Sequence, residues 1–366
     1  MLLYLTGYSQ RYLTDDYPQL DSIIGSTYGT ALNSQGVNQN LLFDFYEPSN
    51  DNITNRPLII YIHGGGFSSG SRSYPSVKSI CRRMANKGYA VANIDYRLDP
   101  SFDLYNSSSD RRAMTDAMHD AKQAVRYFKA NALIYKIDTS LVFIGGESAG
   151  AITSMMASFV DKQTEMNSYP MANPNNPIGS TSNLDMSNSV KGTLCLCGMI
   201  LDTLAMESPT DPTILWTHGT NDNFIPISLA FNVVLRASHI GLPIEARSYQ
   251  GATHCPWYYG NPNWSTYLDS TITDITNFLY PKISYTVAIN ESISTEEINI
   301  YPNPFQHTVT ITGISFNVKD IKIYNMLGQD QTALVNVNDN TLHLTSLQKG
   351  MYILRIKTLA KIIYKQ

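Results

Sequence analysis

The pentapeptide Gly146-Glu147-Ser148-Ala149-Gly150 follows the apolar run Leu141 to Ile144 and precedes a helical pattern. A strand, a sharp glycine-flanked turn and a helix in direct succession demand a central sheet with the serine lifted above its edge. A serine hydroxyl is a weak nucleophile near neutral pH. The placement therefore carries chemistry only if the chain also supplies a base, an acid that orients the base, and donors for an oxyanion.

The donors come earlier. Leu58-Ile59-Ile60-Tyr61-Ile62 reads as a buried strand running straight into His63-Gly64-Gly65-Gly66. Consecutive glycines let a backbone close on a ligand, and amides of such a loop, joined by the N–H of Ala149, are an arrangement that holds an oxyanion. A phosphate loop is the competing use of the same residues. A dinucleotide fingerprint would need glycine where Ser69 stands, and no Gly-Lys-Ser/Thr follows, so nucleotide binding is excluded on pattern.

Seven histidines are available as base. His307 and His343 fall in a separate C-terminal segment, His119 and His239 lie in helical patterns, His63 sits in the glycine loop, and His218 ends the strand Thr213 to Thr217. His254 remains, on a loop just past the strand-like run Ile244 to Tyr249, from which an imidazole can swing over a sheet edge. The acid is expected between serine and base in the chain. Asp222, in the polar turn His218-Gly219-Thr220-Asn221-Asp222, fits best, with Asp202 and Asp211 as competitors; turn aspartates also serve as plain caps.

These residues resemble the α/β-hydrolase superfamily, and within it the carboxylesterases with an HGGG loop and a GESAG elbow. HGGGF at 63–67, GGESAG at 145–150, GTND at 219–222 and GATH at 251–254 stand in that family's order over roughly residues 38 to 280. The resemblance implies an eight-stranded, mostly parallel sheet with helices on both faces. It also implies Ser148 as nucleophile, His254 as base, Asp222 as its partner, and Gly65, Gly66 and Ala149 as oxyanion donors. Phe67, Glu147 and Trp257, beside these motifs, are the substrate-contact candidates. Neither a cofactor nor a metal is implied: no Cys or His spacing suits zinc, and HExxH is absent.

Periodicity supports the same α/β class independently, since short apolar runs alternate with helical patterns. Tyr89 to Asp95 and Thr193 to Cys197 read as strands. Val77, Ile80, Cys81 and Met84 mark one helix face before a Gly88 stop; Ala117, Ala121, Ala124, Val125 and Phe128 mark a second, and Ile152, Met155, Met156 and Phe159 a third.

From about Glu297 helical patterns vanish and period-two strands take over, as in Ile321-Lys322-Ile323-Tyr324 and Tyr352 to Lys357. The expected organisation is residues 1–10 as a possible remnant of a signal peptide, 11–283 as a catalytic domain, 284–296 as a linker and 297–366 as a small all-β sandwich. Ile300-Tyr301-Pro302-Asn303-Pro304, Tyr324-Asn325-Met326-Leu327-Gly328-Gln329 and Leu347 to Tyr352 are similar to signatures of the C-terminal sorting domain of the type IX (Por) secretion system of Bacteroidetes. The ending, with Lys357, Lys361 and Lys365 and no acid after Lys349, resembles that family too. The resemblance implies contact with the type IX machinery and a secreted or cell-surface product. A carbohydrate-binding or adhesive module is the alternative for this tail. Leu2-Leu3-Tyr4-Leu5 lacks the basic flank of a complete signal peptide.

A formal net charge of −4 over 366 residues gives no drive toward nucleic acid, and no run approaches the apolar length of a membrane span. Four cysteines, Cys81, Cys195, Cys197 and Cys255, are expected as buried free thiols. Cys195 and Cys197 share a strand face and so cannot bond each other, whereas Cys255 is able to tie down the His254 loop. The polar insertions Asp99 to Asp110 and Asp161 to Ser189 lack a lipase lid's apolar character. The aromatic cluster Trp257, Tyr258, Tyr259 and Trp264 either stacks on a sugar or aromatic acyl ring or simply packs. The function expected is hydrolysis of short-chain or carbohydrate-linked carboxylic esters through an acyl-enzyme. The alternatives are a serine peptidase of the same fold and a non-catalytic surface binding protein.

Overall fold

The computed structural model describes residues 11–102, 112–162, 165, 183–284, 299–325, 330–357 and 359–366, and the chain divides into two compact units, residues 1–286 and 287–366. The signal-peptide remnant at 1–10, most of both polar insertions, the linker apart from Ser284, and the tail motif at 326–329 lie outside the described residues.

The first unit is an eight-stranded sheet in the order β1-β2-β4-β3-β5-β6-β7-β8. Its strands are β1 (Leu20–Leu32), β2 (Asn38–Pro48), β3 (Arg56–Ile62), β4 (Ala90–Ile94), β5 (Ile137–Glu147), β6 (Gly192–Leu196), β7 (Thr213–Gly219) and β8 (Ile244–Tyr249). The pairings β1–β2 and β2–β4 are antiparallel, and those from β4 across to β8 are parallel. All-apolar strands occur because both faces are covered. In β3, Leu58, Ile60 and Ile62 join the core with α2 (Arg112–Ala130), α4 (Ala149–Phe159) and α6 (Asn232–Ile240). Ile59 and Tyr61 join the opposite core with α1 (Pro75–Asn86) and α7 (Trp264–Ser284). Period-two alternation thus splits one strand between two layers of helix.

Each expected helix face is buried. Val77, Ile80, Cys81 and Met84 are at most 1% exposed, and the expected stripes of α2 and α4 are equally closed off. Ala and Met side chains of α2 and α4 share that core layer on one sheet face. Strand bounds widen at both ends relative to their apolar runs, because Arg56 and Glu147 are also buried and hydrogen-bonded.

The second unit holds a four-stranded sheet, β12 (Asn336–Asn338), β13 (Thr341–His343), β10 (Thr308–Thr312) and β9 (Asn299–Tyr301), and a three-stranded one, β11 (Ile321–Asn325), β14 (Gly350–Ile356) and β15 (Leu359–Lys365). All the pairings within these sheets are antiparallel. Val309, Ile311 and Leu342 from the first meet Ile323, Leu354, Ile356 and Ile363 from the second in one core, so this is a small all-β domain.

One contact joins β3 to the turn after β5. A Cβ on Gly150 would lie 2.1 Å from the Ile62 carbonyl oxygen and 2.6 Å from that of His63, both backbone atoms with little room to yield. Gly150→Ala is therefore expected to push α4 off β3 and to lower stability by about 1–3 kcal/mol. Urea unfolding measures this, and an unchanged midpoint would show that β3 accommodates the methyl.

Candidate active site

Ser148 stands between β5 and α4 at φ 53°, ψ −120°. That left-handed value costs a non-glycine residue about 1–3 kcal/mol and persists only where surroundings enforce it. Here its N–H donates to the Leu196 carbonyl at 3.0 Å and its own carbonyl accepts from Ile152 at 3.0 Å. The turn points the hydroxyl out beyond the strand ends.

The imidazole of His254 meets it. Nε2 lies 2.8 Å from Ser148 Oγ, and Nδ1 lies 2.7 Å from Asp222 Oδ2. With Nδ1–H donating to the carboxylate, Nε2 is left to accept the serine proton. Asp202 and Asp211 are spent elsewhere: Asp202 caps a short turn through the Leu204 amide, and Asp211 accepts from the amides of Glu207 and Ser208.

The Asp222 side chain is fully buried. Burial opposes its ionisation, yet hydrogen bonds from His218, His254 and the Ile225 amide outweigh that and hold its carboxyl well below the usual range. Oδ1 accepts from the amides of Phe224 and Ile225, both at 2.9 Å.

The Asp222 turn and the His254 loop are fastened together. Asn221 N–H donates to the Ala252 carbonyl at 2.9 Å, and Gly251 N–H to Thr220 Oγ1 at 2.7 Å. A side chain at Gly219 would strike the Ala252 oxygen at 2.4 Å. A disulfide from Cys197 to Cys255, the residue after His254, then anchors the loop to the end of β6. The expectation of free thiols holds for Cys81 and Cys195 and fails for this pair. So does the expectation that Cys195 and Cys197 share a face. Cys195 packs with the α2 and α4 layer, while Cys197, at φ 47° just past the strand, turns into the opposite core beside Cys255. The left-handed residue breaks the alternation. The sulfurs and the His254 ring lie within 4.8 Å of one another, but sulfurs bonded to each other offer no thiolate to a metal.

The glycine loop lies across the hydroxyl. Gly65 has φ 122° and Gly66 φ 59°, and a Cβ on Gly65 would come within 2.0 Å of the Ser69 carbonyl. His63, buried, donates from Nδ1 to the Gly64 carbonyl at 2.6 Å and stacks on Tyr96 at 4.6 Å. Ala149 opens α4, where the first amides have no intrahelical acceptor. Gly65, Gly66, Ala149, Ser148 and His254 all line one cavity of about 390 Å³.

Phe67, Phe102, Ile152, Phe224, Ile225 and Tyr258, with Ser68, supply the rest of its largely apolar wall. Of the three substrate-contact candidates, Phe67 lines the cavity. Glu147 and Trp257 do not, and this corrects the sequence reading. Glu147 is the last residue of β5 and alternates away from the site. Its Oε2 accepts from Trp257 Nε1 at 2.7 Å and Tyr61 at 3.2 Å, and both side chains are closed off. Burial pushes the Glu147 carboxyl up against those hydrogen bonds. Within the aromatic cluster only Tyr258 faces the cavity; Tyr259 and Trp264 pack edge to face at 4.4 Å. Phe102 was hidden in a polar loop, and Ile152 in a helix stripe that reads as core.

The family model BD-FAE matches residues 43–188, and the secretion system C-terminal sorting domain matches residues 299–366. Neutral cholesterol ester hydrolase 1 of Mus musculus is 35% identical over 98 residues, covering 26% of this chain and 22% of that protein. Gut esterase 1 of Caenorhabditis elegans is 32% identical over 95 residues, covering 26% and 17%. The chain thus spans about a fifth of the length of these curated relatives. Among solved structures, Thermogutta terrifontis esterase 2 with propionate bound superposes with a TM-score of 0.55 at 19% identity, over 72% of this chain and 94% of that one. This last likeness shows the fold.

The cross-link closes a loop of sequence separation 58. Cys197→Ser with Cys255→Ser is expected to lower the unfolding free energy by about 2–5 kcal/mol while leaving Cys81 and Cys195 untouched. Guanidinium unfolding with and without dithiothreitol checks it; a wild-type midpoint indifferent to reductant would contradict the bond.

Proposed function

We propose, from the BD-FAE match over residues 43–188 and the secretion system C-terminal sorting domain match over 299–366, that the chain is an α/β-hydrolase carboxylesterase, an exported serine esterase acting on short-chain or carbohydrate-linked carboxylic esters. One observation carries the reading: the unbroken run of hydrogen bonds from Ser148 Oγ through His254 to Asp222, opening on the cavity that Gly65, Gly66 and Ala149 line.

In this reading His254 Nε2 takes the proton of Ser148 as Oγ bonds to the ester carbonyl carbon. The carbonyl oxygen becomes an oxyanion held by the amides of Gly65, Gly66 and Ala149. Asp222 stabilises the imidazolium and keeps the ring in its productive tautomer. The C–O bond to the alcohol then breaks, and the alcohol leaves with the proton from His254. Water, deprotonated by the same nitrogen, attacks the acyl-enzyme, and Ser148 leaves with that proton as the carboxylic acid departs.

Substrate size follows from the cavity. About 390 Å³ walled by Phe67, Phe102, Phe224 and Tyr258 suits a short acyl group or a single aromatic ring. The structural relative with propionate bound supports a short acyl group here. A peptidase would need a charged anchor for a peptide terminus, and no carboxylate lies among the described residues that line the cavity. The sorting domain at 299–366 supports export to the cell surface or beyond with the type IX machinery as partner, and no helix among the described residues is long and apolar enough to cross a membrane.

Ser148→Ala is expected to abolish turnover of p-nitrophenyl acetate and butyrate and labelling by a fluorophosphonate, with the circular dichroism spectrum unchanged. In the wild type, palmitoyl esters should turn over far more slowly than butyryl ones. Persistent labelling of the alanine variant would place the nucleophile elsewhere.

A further inference from the structure

Asp222 is shared by two imidazoles. His218, at the end of β7, places Nε2 3.1 Å from Asp222 Oδ2 and 2.8 Å from the Ile225 carbonyl oxygen. Both neighbours are acceptors, so Nε2 carries a hydrogen; its bond runs to the Ile225 carbonyl, with Asp222 Oδ2 as the second, longer contact. Nδ1 is buried without a partner among the described residues, so a single proton satisfies the ring. Trp216 stacks on the imidazole at 5.3 Å and 11°, which fixes the plane in which that N–H points. The side chains of His218 and Asp222 are both fully buried, so water does not compete for this bond.

The consequence is geometric. Backbone amides of Phe224 and Ile225 hold Oδ1, and rotation about Cβ–Cγ would swing that oxygen off both. The His218 N–H beside Oδ2 restrains the second oxygen as well. It leaves the remaining lone-pair direction of Oδ2 for His254 Nδ1 at 2.7 Å. The Ile225 carbonyl, held by the same N–H, belongs to the segment that also supplies an Oδ1 donor and a wall of the cavity.

We propose that His218 is a positioning residue of the esterase, clamping Asp222 through Nε2 so that the carboxylate meets the base at one fixed angle. This rests on the esterase reading above. The ionisable groups facing the pair are His218 from β7 and His254 from its loop, and Glu147 from β5 acts on His254 electrostatically.

The test compares His218→Gln, whose amide nitrogen can reach the place of Nε2, with His218→Asn, whose amide falls short of it. Full-length chains are assayed with p-nitrophenyl butyrate from pH 5 to 9, alongside circular dichroism and thermal midpoints. The Asn variant should lose about 10- to 100-fold in kcat with KM little changed, the range for one hydrogen bond to a charged group. Its acidic limb should move to higher pH, because a carboxylate short of one donor holds the imidazolium more tightly. The Gln variant should recover most of kcat and the wild-type limb. An Asn variant within twofold of wild type, a limb that does not move, or a Gln variant as impaired as Asn would overturn the proposal. Loss of fold in both variants would overturn it too, by assigning His218 to packing. If the wild type itself neither turns over the ester nor takes a fluorophosphonate, it is the esterase reading that fails.

Discussion

The carbonyl oxygen of Ile62 occupies the space in which side chains at positions 146 and 150 would stand. A Cβ at either would come within 2.3 or 2.1 Å of it. Both glycines of the elbow are therefore demanded by a neighbouring strand, and the left-handed Ser148 between them is held by that close approach. Ile62 is also the last residue of β3, and His63 with the glycine loop follows directly. One backbone contact thus sets the distance between the hydroxyl and the loop amides. No side chain has to be relied on for it, which is how the spacing resists thermal motion.

His254 and Asp222 arrive from the other side of the sheet by different means. Parallel strands end together, so β5, β6 and β7 deliver Ser148, Cys197 and the Asp222 turn to one edge. His254 comes from a loop, and loops are mobile unless tied. The ties here are the Asn221 and Gly251 hydrogen bonds and the disulfide at the adjacent residue. Rigid elements hold Ser148, and a fastened loop holds His254 against it.

Much of this was legible in the sequence because period and motif coincide. β3, β5 and β7 follow their apolar runs, and β8 coincides with the strand-like run Ile244–Tyr249. β1 carries no such signal: it is an edge strand whose residues are mostly exposed, so it has no apolar face to show, whereas Leu41, Phe43 and Phe45 give β2 a buried face of period two. The orientation of Glu147 was likewise hidden. Adjacency to Ser148 suggested contact with substrate, but a strand turns consecutive residues to opposite faces, and Tyr61 and Trp257 wait on the far one. His218 was set aside as a strand end, although its spacing of four to Asp222 across a tight turn is what brings the two together.

The cysteines show how one unusual dihedral decides covalent chemistry. Simple alternation along β6 sends residues 195 and 197 to the same side, where no third sulfur waits. The left-handed Cys197 reverses that and delivers its sulfur to the α7 side, against Cys255, which is itself left-handed at φ 41°. Cys195 stays in the α2 and α4 layer, and Cys81 lies on the opposite layer with α1. The sheet separates Cys195 from Cys81, and both are closed to solvent. With Cys197 and Cys255 bonded, the two thiols left over cannot meet across the sheet. A protein that meets oxidising conditions after folding gains the cross-link that fastens its base loop, and its two remaining thiols have no partner with which to mispair.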